Sequence, residues 1–298
     1  MFEVIEKLAQ LKGRPLKQHD EDRREYFAHK YIRGHGVEIG ALHNPVKLRQ
    51  GVSVKYVDYK STRENRKRYP ELKDNKIVDT NIIDNGFFLK KIKNKSLDFI
   101  IANHFLEHSP DPIGTIYTLR NKLKKNGIIF AAVPLLDNNY DKGRRLTTLK
   151  HLINDHSMFQ EPKKNLNKIS GITRQHLVEF VNISDGNIRH INGLEPKFTN
   201  LQDAEKEADR ILKGFNKSIE CLISVSLSND ELREKVLSAH IYKLNLIYDI
   251  HYHTFTAESY RDLFQYIEGD SKGGLKLIDI GISGVGEVIA VARNMHFN

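Results

Sequence analysis

Gly36-Val37-Glu38-Ile39-Gly40-Ala41-Leu42-His43-Asn44-Pro45 is the stretch whose reading decides the fold. Val37 to Ile39 follow the breaker Gly34-His35-Gly36 as a buried strand. Gly40 supplies a turn where a side chain would obstruct a ligand, and Asn44 and Pro45 suit the cap and first position of a short helix. The stretch has the form of a cofactor-binding strand, loop and helix, although an ordinary α/β turn would read the same way.

Dinucleotide sites use a similar turn with three glycines, G-x-G-x-x-G, so that the backbone can approach a pyrophosphate. Only Gly40 is present here, and Ala41 and His43 would crowd a diphosphate. S-adenosylmethionine (SAM) has no phosphate and needs a close turn plus partners for its ammonium, carboxylate and ribose. Glu38, inside the strand, fits the ammonium.

Downstream, Ser53 to Asp58 alternates and ends in an acid. Asp58 follows Gly40 at nearly the spacing of about 20 residues at which such an acid holds ribose hydroxyls. Lys76 to Thr80 reads as a third strand, with Asp79 placed for the adenine end of the cofactor. Leu97 to Ala102 reads as a fourth strand, apolar enough to be covered on both faces, and it runs into Asn103-His104-Phe105-Leu106-Glu107-His108. Pro110 to Lys125 has helical spacing, and Asn126-Gly127 closes it before a strand at Ile128 to Val133. Strands alternating with helices imply a parallel sheet whose ligands bind at the carboxyl ends of its strands.

The rhythm stops at Pro134. Helical patches at Thr147 to His156, Thr173 to Val181, Leu201 to Ser226 and Asn229 to Tyr242 read as an insertion at the ligand-binding edge. The α/β pattern resumes with a helix starting near Thr256 to Ser259. Leu275 to Ile280 and Glu287 to Ala292 then flank a glycine-rich turn as an antiparallel hairpin. The expected division is a helical cover over 1–32, in which Tyr26, Phe27 and Tyr31 dock, a cofactor-binding core over 33–139 and 243–298, and a helical insertion or lid over 140–242.

At 298 residues the chain can bury a large core. The single Cys221 excludes a disulfide framework within the chain. Met1 to Leu8 carries acids where a signal peptide has bases, and the longest apolar stretch, Gly127 to Leu136, is too short to span a membrane, so the expected compartment is the cytoplasm. A net charge of +9 favours anionic partners such as phosphorylated sugars or acidic glycans. The basic runs lack the aromatic interleaving of single-strand nucleic-acid binding, so nucleic acid is disfavoured. The oligomeric state is not legible.

Taken together, Glu38 to Pro45, Asn103 to His108, Arg144-Arg145-Leu146-Thr147-Thr148 with His151, and His253 to Phe255 with Thr256 resemble the class I SAM-dependent methyltransferases, in the bacterial branch found with cell-surface polysaccharide synthesis. The resemblance covers residues 30–155 and 245–298. It implies an α/β, Rossmann-like, doubly wound seven-stranded sheet with the last strand antiparallel and a helical insertion after the fifth. It also implies SAM bound over Gly40 and Asp58, with an acceptor entering under the insertion. Ala41 departs from the class pattern, where a second glycine is usual. The expected cofactor contacts are Glu38, Gly40, Ala41, Asn44, Asp58, Asp79 and Asn103.

His104 to His108 also matches H-x-x-E-H, a zinc-peptidase signature, but it begins at a strand end and Pro110 follows, so both histidines cannot share a helix. His104, Glu107 and His108 could instead bind a divalent cation. The favoured reading has no metal: His108 caps the next helix, Glu107 bonds backbone, and His104 faces the acceptor.

Methyl transfer to an alcohol needs alignment and a base, and histidine serves at cellular pH. His104, His151 and His253 are the candidate bases, with Arg144, Arg145 and His251 to hold an anionic acceptor. The expected activity is O-methylation of a sugar, sugar phosphate group or glycan end. The alternatives are metal-dependent RNA ribose 2′-O-methylation and a non-catalytic SAM-binding regulator.

Overall fold

The computed structural model describes residues 23–192, 194–195, 197–198, 200–223, 225–245, 249–270, 274–284 and 286–295. Its centre follows from apolar alternation in β4 (Leu97–Asn103) and β5 (Leu123–Pro134). Phe99, Ile101, Phe130 and Ala132 turn to one face while Ile100, Ala102, Ile129, Ala131 and Val133 turn to the other, and all are fully buried. A strand presents successive side chains to opposite faces, so continuous apolar runs require cover on both.

One cover is α1 (Arg23–Tyr31), which buries Phe27 and Ala28. Polar contacts fix it: Tyr31 Oη donates to Asp279 at 2.5 Å, Lys30 Nζ lies 3.0 Å from the same carboxylate, and Arg23 donates to the Ile282 carbonyl at 2.7 Å. Past the short α2 (Thr62–Arg68), the opposite cover is α3 (Pro112–Lys122), through Ile113, Ile116 and Leu119, with α9 (Ala257–Gly269), through Tyr260, Leu263 and Phe264. Each such fully buried side chain stabilises the fold by roughly 1.5–3 kcal/mol.

The seven strands run in the order β3-β2-β1-β4-β5-β7-β6, with β1 at His35–Ile39, β2 at Ser53–Asp58, β3 at Ile82–Ile83, β6 at Leu275–Ser283 and β7 at Glu287–Asn294. The first five pair in parallel, and β7 runs antiparallel to both β5 and β6. This is the doubly wound α/β sheet expected from the sequence, antiparallel last strand included. The strand order reverses between β1 and β4, and a ligand crevice opens at the carboxyl ends of such a pair.

Three local expectations are corrected. No helix follows Pro45: residues 41–52 are turns and irregular chain, because the Val46 N–H is drawn inward by the Glu38 carboxylate. The third strand is Ile82–Ile83, not Lys76 to Thr80, where Val78 donates to the Leu42 carbonyl and Thr80 to the Thr62 hydroxyl instead of to a neighbouring strand. Helix α3 stops at Lys122, and Asn126, at φ 65°, lies in an irregularity within β5 rather than between helix and strand.

The insertion is helical: α4 (Leu149–Gln160), α5 (Pro162–Glu179), α6 (Asp185–Ile191), α7 (Leu201–Ile223) and α8 (Asn229–His240), with single π-helical stretches at Phe180–Ser184 and Ile241–Asn245. It buries its own core around Phe159, Leu177, Phe180, Phe215 and Val236. Of the expected N-terminal cover, residues 1–22 lie outside the described residues, Phe27 docks, and Tyr26 is 52% exposed. Among the described residues no helix is long and apolar enough to cross a membrane.

Candidate active site

At the β1 terminus, Gly40 has φ 67° and donates its N–H to the Val57 carbonyl at 2.9 Å. A Cβ there would meet nothing, so the requirement for glycine is the left-handed backbone rather than space. Ala41 and Asn44 form the tight turn beyond, Asn44 N–H donating to the Ala41 carbonyl, with the Asn44 side chain exposed. Glu38 is turned under this loop, 1% exposed, and its two oxygens lie 3.1 and 3.2 Å from the Val46 nitrogen. Burial pushes its carboxyl up to about 7, against the Val46 hydrogen bond and the charge of Arg24.

Asp58 ends β2, and its Oδ1 accepts from the Lys60 N–H at 3.0 Å. Burial holds this carboxyl above its usual range. Asp79 is exposed and lies ahead of β3, so it does not stand at a strand's carboxyl end. Asp84 does: its N–H donates to the Asp58 carbonyl at 2.9 Å. A pocket of about 340 Å³ opens beside it, lined by Tyr59, Asp84, Asn85, Phe88, Glu234 and Tyr242. The sequence reading missed Asp84 and Asn85, whose signal is an apolar pair, Ile82-Ile83, ending in an acid.

Asn103, at the β4 terminus, has both side-chain polar atoms buried and without a hydrogen-bond partner. A ligand carrying both donors and acceptors would satisfy this amide, which stands with Gly40 and Asp58 at the carboxyl ends of neighbouring strands.

His104 follows in the left-handed region at φ 48°, uncommon for residues other than glycine and a feature that clusters at functional sites. Its side chain is 44% exposed; Nε2 lies 2.8 Å from Glu287 Oε2 and Nδ1 lies 3.6 Å from Glu107 Oε1. Burial lowers its pKa, but the Glu287 hydrogen bond and the two nearby carboxyl groups outweigh that and raise it. Glu287 is in turn gripped by Arg24, whose Nε donates at 2.6 Å.

Glu107 is fully buried, neither carboxyl oxygen has a hydrogen-bond partner, and burial pushes its pKa up. It does not bond backbone through its side chain, as the sequence suggested. His108 does not cap α3; Asp111 does, accepting from the Gly114 N–H at 2.9 Å. His108 Nδ1 instead faces the Ile250 carbonyl at 3.0 Å, and burial takes its pKa down to about 3.

The convergent set here is Glu107, His108 and His251, with His104 turned away to Glu287. His251 Nδ1 lies 2.5 Å from Asp141 and its Nε2 lies 2.5 Å from the Tyr140 hydroxyl. Both ring nitrogens of His251 are thus engaged in a hydrogen-bonded network, while the Glu107 carboxyl beside it has no hydrogen-bond partner. Arg144 belongs to the same network: it is 5% exposed and donates to Asp141 and the His251 carbonyl at 2.8 Å each. That commitment removes Arg144 from acceptor binding. Arg145 is exposed.

His151 and His253 are brought together with two residues the sequence reading did not single out, Asp155 and His176. His253 is fully buried, so it cannot reach an acceptor. The signal for Asp155 was its helical spacing from His151; His176 gave none.

A model of the methyltransferase-domain family matches residues 25–179, more than half of the chain. Among curated protein sequences none matches. Among solved structures, a SAM-dependent methyltransferase from Methanosarcina mazei is similar with a TM-score of 0.41 and 13% identity, over 90% of this chain and 96% of that one. The CurJ carbon methyltransferase is similar with a TM-score of 0.36 and 10% identity over 89% of this chain, which spans 49% of that protein. The [4+2]-cyclase SpnF is similar with a TM-score of 0.33 and 12% identity, over 95% of this chain and 84% of that one.

Proposed function

Because the chain belongs to the methyltransferase-domain family, whose cofactor is SAM, we propose that it methylates a hydroxyl oxygen of a sugar, a sugar phosphate group or a glycan end. The observation that carries this reading is His104, half exposed at the β4 terminus with its basicity raised by Glu287.

SAM, when bound, supplies a methyl carbon already activated by its sulfonium. Gly40, Ala41 and Asn44 form the turn that receives it, Asp58 and Asn103 offer a carboxylate and an amide to its polar groups, and Glu38 supplies charge for an ammonium. Asp84 replaces Asp79 in this set, because it ends β3 beside a pocket. His104 donates Nε2–H to Glu287, which leaves Nδ1 to take the acceptor hydroxyl's proton as the oxygen attacks. The fixed ring also aligns that hydroxyl, and alignment is the larger part of such a displacement.

Residues 33–139 and 243–298 serve as the cofactor-binding core, and 140–242 as the acceptor lid. A pocket of about 550 Å³ lined by Tyr140, Phe180, Asp185, Ile188, Asn192 and Asp249 supports that role, since it pairs aromatic with polar groups as a sugar requires. Arg145 and the +9 charge favour an anionic acceptor.

The test is methyl transfer from labelled SAM to a panel of sugars and sugar phosphates, with mass spectrometry of the product. An O-methyl ether is expected, with kcat lowered about 10²–10⁴-fold in His104→Ala. Methylation at nitrogen or carbon, or an unchanged rate in His104→Ala, contradicts the reading.

A further inference from the structure

His151, Asp155, His176 and His253 turn four ligand atoms towards one point between α4, α5 and the segment that returns from the insertion to α9. Nε2 of His151, His176 and His253 lies 3.1, 3.4 and 3.9 Å from Asp155 Oδ2, respectively, and the Nε2 atoms of His151 and His176 are 3.3 Å apart. All four ligand atoms lie within 4.8 Å of one another. Four ligands at zinc bond lengths of about 2.0–2.1 Å mark a tetrahedron with edges of about 3.3 Å. The edges among His151, Asp155 and His176, at 3.1–3.4 Å, match it, and His253 stands farther out, 3.9 Å from Asp155.

As a hydrogen-bonded group the cluster is incomplete. Three imidazoles converge on one carboxylate oxygen, His253 Nε2 has no hydrogen-bond partner in a fully buried ring, and Asp155 Oδ1 has none either. Buried polar groups are normally satisfied, so a convergent set that leaves its own atoms unpaired is one a cation completes. The donor types select that cation. Magnesium and calcium take oxygen ligands, whereas three imidazoles with one carboxylate suit zinc.

We propose that His151, Asp155, His176 and His253 bind one zinc ion that fastens the insertion to the core. Four protein ligands close the tetrahedron, which marks the ion as structural rather than as a carrier of reactive water. Its position gives it reach. The Tyr252 and His253 N–H groups approach the Glu107 carbonyl at 2.8 and 3.4 Å, so the ion also steadies the loop that carries His104. His151 and His253 are then zinc ligands and not acceptor bases. The inference stands whether the acceptor is a sugar or any other molecule.

The full chain, purified without a metal-affinity step, is analysed for metals and then stripped with a zinc chelator. About one zinc per chain is expected, falling to background in Asp155→Ala and His176→Ala but not in His35→Ala, an exposed histidine. Stripping wild-type protein should lower Tm by more than about 5 °C, zinc but not magnesium should restore it, and cobalt(II) should give the visible absorption of a tetrahedral site. The stripping arm decides even where a variant fails to fold. A metal-free chain whose Tm ignores added zinc, or zinc content unchanged in Asp155→Ala and His176→Ala, would overturn the proposal.

Discussion

His104 Nε2 lies 2.8 Å from Glu287 Oε2, so the residue just past β4 is held by the first residue of the antiparallel strand β7. Arg24 of α1 grips the same carboxylate. One buried acid therefore ties the N-terminal cover, the last strand and the proposed base together.

Glu287→Gln tests that tie through stability. Burial would raise the Glu287 pKa, but His104 and Arg24 hold it down at about 2, against 4.5 for a free carboxyl. A depressed carboxyl contributes stability that is complete above about pH 4.5 and is lost as pH falls through about 2. Wild type should exceed Glu287→Gln in Tm at neutral pH, and the gap should close between those limits. A gap that stays constant down to the lower limit would show that the carboxylate charge is irrelevant.

Glu38 predicts the opposite slope. Its folded pKa of about 7 exceeds the free value of 4.5, so the folded chain holds the proton more tightly than the unfolded one. In cofactor-free protein this contribution falls as pH rises from 4.5 to about 7, by on the order of 3 kcal/mol in full. Glu38→Gln should flatten the profile of Tm against pH over that window. An identical slope in the variant would assign the dependence elsewhere.

Asp111 joins three helices. It caps α3, lies 2.9 Å from His156 Nδ1 on α4, and accepts from Arg233 of α8 at 2.8 Å. Burial opposes its ionisation, but the His156 and Arg233 contacts hold its pKa below the usual carboxylate range. Removing one member of a buried ion pair strands the other, so Asp111→Ala should destabilise the chain by about 3–5 kcal/mol in urea unfolding. A loss below about 1 kcal/mol would mean that the network is not structural.

The central strands were legible because β4 and β5 are apolar on both faces, a pattern that only a covered sheet explains. β3 was not, since two residues carry no periodicity and Val78, three residues before Asn81, imitates a strand. The helix after Pro45 failed for a tertiary reason: Glu38 captures the Val46 N–H from eight residues away, which no local propensity records. Asp58 and Asn103 were legible as strand ends, because each closes an apolar or alternating run, and His104 follows directly. Arg144 and His253 looked free because nothing in the sequence reveals burial. Asp155 and His176 meet only through the packing of α4 on α5, where the alternation that located the strands gives no help.

The most direct test is calorimetric titration of the purified chain with SAM, beside NAD and beside the Asp58→Ala and Asn103→Ala variants. A single SAM site is predicted, with no binding of NAD and affinity lost at least 10-fold in each variant. Binding of NAD in place of SAM, or SAM affinity unaltered in both variants, would contradict the crevice between β1 and β4 as the seat of the cofactor.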